Sequence, residues 1–175
     1  MEIQFTQSRP QSARLVAQVT DKGKVPADLD KAMVEGMEAA RFKGGAGQVF
    51  EGFVERDGQV LRLAIAGTGD RNDEARPANL EKAGAALAAK YQSSGNEELV
   101  LDLTNSGLSG EEAACVLLGL RLRSMFVGMT RAMRALMVLL PVEIPEGIEG
   151  RFSQESVDLL CLYGVGFLGT LDATY

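Results

Sequence analysis

Two runs near the middle of the chain, Gln48–Glu55 (QVFEGFVE) and Gln59–Gly67 (QVLRLAIAG), carry apolar residues at alternate positions and are separated by Arg56, Asp57 and Gly58. Alternation of this kind gives a strand two different faces, and Asp-Gly between two such runs is a strong local signal for a β-hairpin. One antiparallel pair is therefore set by local chemistry, and the rest of the chain must be arranged around it. Before it, Ile3–Thr6 and Arg14–Thr20 (RLVAQVT) also alternate, the second placing Leu15, Ala17 and Val19 on one face. Between them and the hairpin, PADLDKAMVEGMEAARF spaces Leu29, Met33, Met37 and Ala40 as one stripe of a helix, with Pro26 suited to its first turn. After the hairpin comes a loop over 67–77, then an alanine-rich helix, ANLEKAGAALAAKYQ, closed by SSGN. Leu99–Leu103 (LVLDL) is short and mostly apolar, as a central strand buried on both faces must be. Ser109 then heads a further helix, with Glu112 three residues on in a capping-box pattern. Strands alternating with helices around an antiparallel pair predict an α/β domain with a mixed sheet and helices on both faces.

Composition narrows the function. The chain has 175 residues, 46% of them hydrophobic, enough for the core of one ordinary domain. Its net charge of −6 repels phosphate backbones, so nucleic acid is not an expected partner. There is no histidine, which removes the commonest general base and the commonest zinc ligand. The two cysteines, Cys115 and Cys161, are far apart and suggest a reducing compartment rather than a disulfide framework. MEIQFTQSRPQ has no signal-peptide character, and no run of about 18 apolar residues predicts a membrane span. A cytoplasmic location is the expectation.

No catalytic, cofactor-binding or metal-ligating residue emerges from the residue chemistry. FKGGAGQVFEG (42–52) lacks a phosphate-loop pattern: Phe50 stands where a third glycine is needed, and the loop enters a strand. It is expected to be a helix C-cap and a tight turn. GTGDRND (67–73) lies between a strand and a helix, a place where anions can bind, but Asp70 and Asp73 oppose an anion and suit a turn with helix-start acids. The pairs Glu97-Glu98 and Glu111-Glu112 do not converge on one side of an element and are expected to be solvated, the second favouring a helix N-terminus. Cys115 is expected in the core.

Four segments in register resemble the N-terminal domain of the leucyl aminopeptidase family. ARFKGGAGQVFE resembles its FKGKxGExxxL segment, and LRLAIAGTGDRND its strand and loop VLLVGLGKxxE. NLEKAGAALAAK resembles the helix LRKAAGAAxRA, and EEAACVLLGLRLRS the helix EEAAxAxxxGxxLxxY. The resemblance implies an α/β domain with a macro-domain-like mixed β-sheet sandwiched between helices in three layers. It also implies a non-catalytic, assembly or regulatory role within a metallo-exopeptidase that forms homo-hexamers. The family's catalytic domain uses two divalent metals, zinc, manganese or magnesium, but its NTDAEGRL and KGxxFDSGG segments are absent, so no metal ligand or catalytic residue carries over and no peptide turnover is expected of this chain. The alternatives are a free-standing macro-like module that binds a nucleotide or anion, and a DNA-binding scaffold, against which the charge argues.

The resemblance stops abruptly after Ser124, where the family continues with an aromatic, charged run of the type YxFDxYxTK. Phe126, Met129, Met133, Leu136 and Leu140 are spaced to predict a helix over 125–140, ended by Pro141, and Arg131 and Arg134 interrupt it as a membrane element. The expectation is a domain at 1–124 and a divergent tail at 125–175, left by a frame change or a truncation after Ser124. Within that tail, 155–163 is the alternative source of the family's last strand.

Overall fold

The structure is a computed structural model that describes residues 2–26, 29–56, 58–91, 94–95, 98–126 and 135–139, all within one compact unit at 1–141. Its elements are β1 (Glu2–Thr6), β2 (Leu15–Thr20), α1 (Lys31–Ala39), β3 (Val49–Arg56), β4 (Gln59–Gly67), α2 (Arg76–Tyr91), β5 (Glu98–Asp102), α3 (Gly110–Phe126) and β6 (Ala135–Leu139). The strands form a six-stranded sheet in the order β1-β6-β5-β2-β4-β3. Five are parallel, and β3 is the antiparallel edge.

The hairpin forms as its sequence requires. Arg56 pairs with Gln59, leaving Asp57 and Gly58 as a two-residue connection. All of LVLDL but Leu103 falls in β5, with Leu99, Val100 and Leu101 wholly buried between β6 and β2. In β2 the expected face of Leu15, Ala17 and Val19 is buried, but so is Val16 on the other side. A strand flanked on both edges and covered on both faces has no solvent side, so its alternation does not mark one.

The faces are covered by different helices. Met33 and Met37 of α1 pack with Val16, Val54, Leu61 and Leu63. The residues between them point the other way: Glu51 and Arg62 meet Tyr91 of α2. Helices therefore lie on both sides of the sheet, in the three layers expected. α1 begins at Lys31 rather than near Pro26, because Asp30 accepts a hydrogen bond from the Met33 amide at 3.0 Å and sets the N-cap there. α2 and α3 pack against each other through glycine. A Cβ on Gly84 would stand 1.9 Å from the Val116 carbonyl oxygen, and one on Gly119 1.9 Å from that of Glu81.

The largest departure from the sequence reading is at 125–140. α3 ends at Phe126, and Ala135–Leu139 is a strand, not part of a helix. β6 pairs in parallel with β1, from Glu2↔Ala135 to Thr6↔Leu139, and with β5, from Glu98↔Ala135 to Asp102↔Leu139. A short apolar run suits helix or strand equally by periodicity, and the vacant place between two strands decides it. The segment 135–139 is thus part of the sheet and not a tail outside the fold. The strand considered as an alternative at 155–163, like Cys161, lies outside the described residues.

Candidate functional site

The richest polar chemistry lies where β2 and β4 end and α2 and α3 begin. In open α/β sheets the carboxyl ends of strands are the usual place for a site. Asp21, the first residue after β2, keeps only 4% of its side chain exposed. Its Oδ1 is 2.8 Å from Arg76 Nη1 and accepts from the Thr68 hydroxyl at 2.8 Å. Its Oδ2 lies 3.1 Å from Lys24 Nζ and 3.5 Å from Arg71 Nη1. Arg76, the first residue of α2, also donates from Nε to Glu112 Oε1 at 2.8 Å. Glu112 returns to its own helix start: its Oε2 accepts from the Ser109 amide at 2.9 Å, while the Glu112 amide donates to Ser109 Oγ at 3.2 Å. Arg71 Nη2 donates to the Gly107 carbonyl at 2.9 Å, tying the loop after β4 to the loop after β5.

Burial pushes the Asp21 carboxyl up, but the Thr68 hydroxyl, Lys24 and Arg76 outweigh it and hold it below the usual carboxylate range. Glu112 is lowered in the same way: burial opposes the shift, and the Ser109 amide, Arg76 and Arg71 overcome it. Burial lowers the Arg76 guanidinium, and Glu112 and Asp21 more than restore it. All these groups stay charged at neutral pH and bind one another. The junction is a clamp that fixes two strand ends to two helix starts, and it presents no base beside a nucleophile. Arg76 Nη2 is buried without a partner among the described residues.

The loops singled out in the sequence meet at this end of the sheet. The Lys22 amide donates to the Gly69 carbonyl at 2.8 Å, the Gly69 amide to Gly44 at 3.0 Å and the Gly23 amide to Lys43 at 3.1 Å. Gly44 has φ +71°, and a Cβ on Gly67 would lie 2.3 Å from the Gly45 carbonyl oxygen. Gly44 thus serves close backbone packing at the entrance to β3, as expected of a turn, whereas Gly52 lies within β3, where a Cβ would meet the Met33 side chain. In GTGDRND, Asp70 accepts from the Asn72 amide at 3.0 Å, and Asp73 from the Ala75 amide at 2.9 Å and Asn79 Nδ2 at 3.1 Å. Both acids hold the turn and the helix start. Glu112, expected to be solvated, is instead half of the Arg76 pair. Cys115 is half-buried, and its thiol is raised by burial and by Glu81, Glu112 and Glu111, which keeps it protonated and unreactive.

A second polar cluster braces the β3 edge. The Tyr91 hydroxyl donates to Glu51 Oε2, Arg62 Nη2 to Glu51 Oε1 at 2.9 Å, and the Arg62 guanidinium stands 5.1 Å from the Tyr91 ring centre. On the α1 side of the sheet is a cleft of about 170 Å³, bordered by Gln18, Asp102 and Asn105 above a floor that includes Val16, Leu61 and Leu63. Among the described residues no group of three or more His, Cys, Asp or Glu converges as metal ligands. The described residues do not fit a paired-metal site.

Fold and site together define a mixed α/β domain whose buried charges hold loops and helices in place. The chain belongs to the cytosol aminopeptidase family, whose N-terminal domain it matches over residues 11–124. A probable cytosol aminopeptidase of Xanthobacter autotrophicus is 34% identical over 96 residues, covering 54% of this chain and 19% of the relative. A tomato leucine aminopeptidase mutant superposes with a TM-score of 0.62 at 17% identity, over 93% of this chain and 36% of its own. The bottromycin maturation enzyme BotP, in complex with Mn, superposes with a TM-score of 0.57 at 21% identity, over 86% and 31% of the two chains. These superpositions are likenesses of fold. The chain spans about a fifth of the curated relative and about a third of each solved structure.

Proposed function

We propose that this chain acts as the non-catalytic assembly or regulatory domain of a leucyl aminopeptidase-like metallo-exopeptidase in the cytoplasm. The observation that carries this reading is the family match to an N-terminal domain over 11–124. The character of the charged junction supports it: Asp21, Arg76 and Glu112 are spent on one another rather than turned toward a substrate. Among the described residues no helix is long and apolar enough to cross a membrane. In such a protein the two-metal chemistry and the peptide site belong to the catalytic domain, and this domain contributes contacts that build the homo-hexamer.

The test is co-expression of the full chain with the catalytic domain of the Xanthobacter relative. Hexamer-sized particles with metal-dependent leucyl-anilide turnover, formed only when this chain is present, are expected. Turnover by the pure chain alone, lost on chelation, would overturn the non-catalytic role. Catalytic domains that reach the same size and activity without the chain would overturn the assembly role.

A further inference from the structure

β3 is an open edge of the sheet: among the described residues only β4 pairs with it. The direction of its backbone follows from its neighbours. The Gly67 amide donates to the Gln48 carbonyl at 2.8 Å and the Arg62 amide to the Arg14 carbonyl at 2.9 Å, so along β4 successive residues face β3 and β2 in turn. Through the register of the hairpin, Phe50, Gly52 and Val54 turn their N–H and C=O groups to β4, while Val49, Glu51, Phe53 and Glu55 turn theirs to the open side. Natural edges are blunted by proline, lysine, a bulge or short length. β3 runs for 8 residues and contains neither proline nor lysine. Two exposed apolar side chains stand beside the open row, Phe53 at 67% and, on the next strand, Val60 at 64%. Phe53 pairs with Arg62 and Val60 with Glu55, which makes Phe53 and Val60 diagonal neighbours on one face. Only Glu51 and Glu55 put charge on the open row, and Glu51 is already tied to Tyr91 and Arg62.

We propose that two copies of this chain pair through β3, antiparallel and two-fold symmetric about Gly52, and so join their sheets into one. An open row of backbone donors and acceptors is satisfied by an extended strand. The order of side chains in β3 makes a second β3 the strand that fits. Symmetry about Gly52 sets Glu51 against Phe53, Val49 against Glu55, Phe50 against Val54 and Gln48 against Arg56. Moving the axis one residue either way opposes carboxylates: about Phe53, Glu51 meets Glu55, and about Glu51 that residue meets itself. Of these three registers, only the one about Gly52 keeps the acids from standing opposite each other. In it Phe53 lies across from the other copy's Glu51, beside which Lys90 Nζ stands at 3.6 Å, so the ring has the stem of that lysine to pack on. A two-fold contact of this kind uses the same surface on both copies and closes at the dimer. It concerns the chain alone and stands whether or not the assembly role does.

The test is sedimentation equilibrium of the full chain over a range of concentrations. A monomer–dimer equilibrium is expected with Kd of about 10–100 μM, modest because one strand pair buries little area, and the chain is monomeric well below that range. Phe53→Lys puts a charge on the open row at a side chain that is already exposed, so it keeps the fold and should weaken pairing about tenfold or more. Phe53→Leu stays apolar and should pair nearly as the parent does. The register is read by cross-linking. Residues directly opposite in a hydrogen-bonded antiparallel pair have Cα atoms about 5.5 Å apart, within the reach of a disulfide. The double variant V49C/E55C should therefore form a covalent dimer on mild oxidation, whereas V49C and E55C alone should not, and the single variants also control for Cys115 and Cys161. The proposal is overturned by a chain that stays monomeric above that range, by association that continues past the dimer, by F53K pairing as tightly as the parent, or by a double variant that cross-links no more than the single ones.

Discussion

At the scale of single residues, the consequential positions are Asp21 and Arg76, whose side chains are 4% and 10% exposed and lie 2.8 Å apart. Removing one member of a buried pair leaves the other charge uncompensated, which costs about 3–5 kcal/mol. Arg76→Ala should lose that much stability in urea, and a loss under about 1 kcal/mol would show that the junction is only a surface feature. The pair also sets an acid limit. The Asp21 carboxyl is lowered in the folded state, so its contribution is fully present above the unfolded pKa, near 3.9, and is lost as pH falls through the folded value. Glu112 behaves alike, while Glu81, raised by burial, runs the other way. Asp21→Asn isolates the first term: the stability gap between it and the parent should be wide at neutral pH and shrink progressively as pH falls from about 4 through the lowered folded value. Urea titrations at neutral and acid pH measure it, and a gap unchanged in acid would refute the assignment. Of this junction only the Ser109–Glu112 cap was visible in the sequence. Asp21 stands in an ordinary turn, Arg76 lies before a proline, and Glu112 reads as a capping residue. Only the parallel pairing of β2 with β4 brings Asp21 and Thr68 side by side.

At the scale of elements, sequence served best where local chemistry decides. Asp57-Gly58 placed the hairpin, Ser109 and Glu112 the start of α3, and the apolar run 99–103 the central strand, because turn, cap and burial signals each act within a few residues. It served worst where a neighbour decides: ALMVL needed β1 and β5 on either side to become a strand. The packing of α2 on α3 is another such case. Glycine within a helix costs about 1 kcal/mol relative to alanine, yet the sequence reading drew nothing from Gly84 and Gly119 in otherwise good helical sequence, because the reason for them lies in a neighbouring element. The structure supplies it, each glycine facing a carbonyl of the opposite helix. Gly84→Ala should therefore destabilise by about 1–3 kcal/mol although it improves helix propensity, because backbone cannot move aside as a side chain does. A thermal melt that rises on this substitution would mean that the helices are not in contact there.

At the scale of the whole molecule, the question is how much chain the sheet requires. The family match ends at residue 124, yet β6 lies beyond it and, among the described residues, is the only strand that links β1 to the rest of the sheet. A chain ending at Ser124 would leave β1 with no partner strand among those described and would turn β5 into an edge. Leu99, Val100 and Leu101, each fully buried in the complete sheet, would then border an open row of backbone donors and acceptors. Such an edge invites pairing with another molecule, so the shortened protein should melt broadly and scatter light increasingly with concentration. A chain ending at Pro141 keeps β6 and should melt as one cooperative transition, close to the full-length protein. The pair of truncations separates the effect of β6 from that of any shortening. If the 1–124 chain melts as sharply as the 1–141 chain and stays monomeric, β6 is dispensable and the boundary suggested by sequence resemblance is also the boundary of the cooperative fold. If only the longer chain does so, the cooperative unit extends past the family match, and the strand at 135–139 is what closes it.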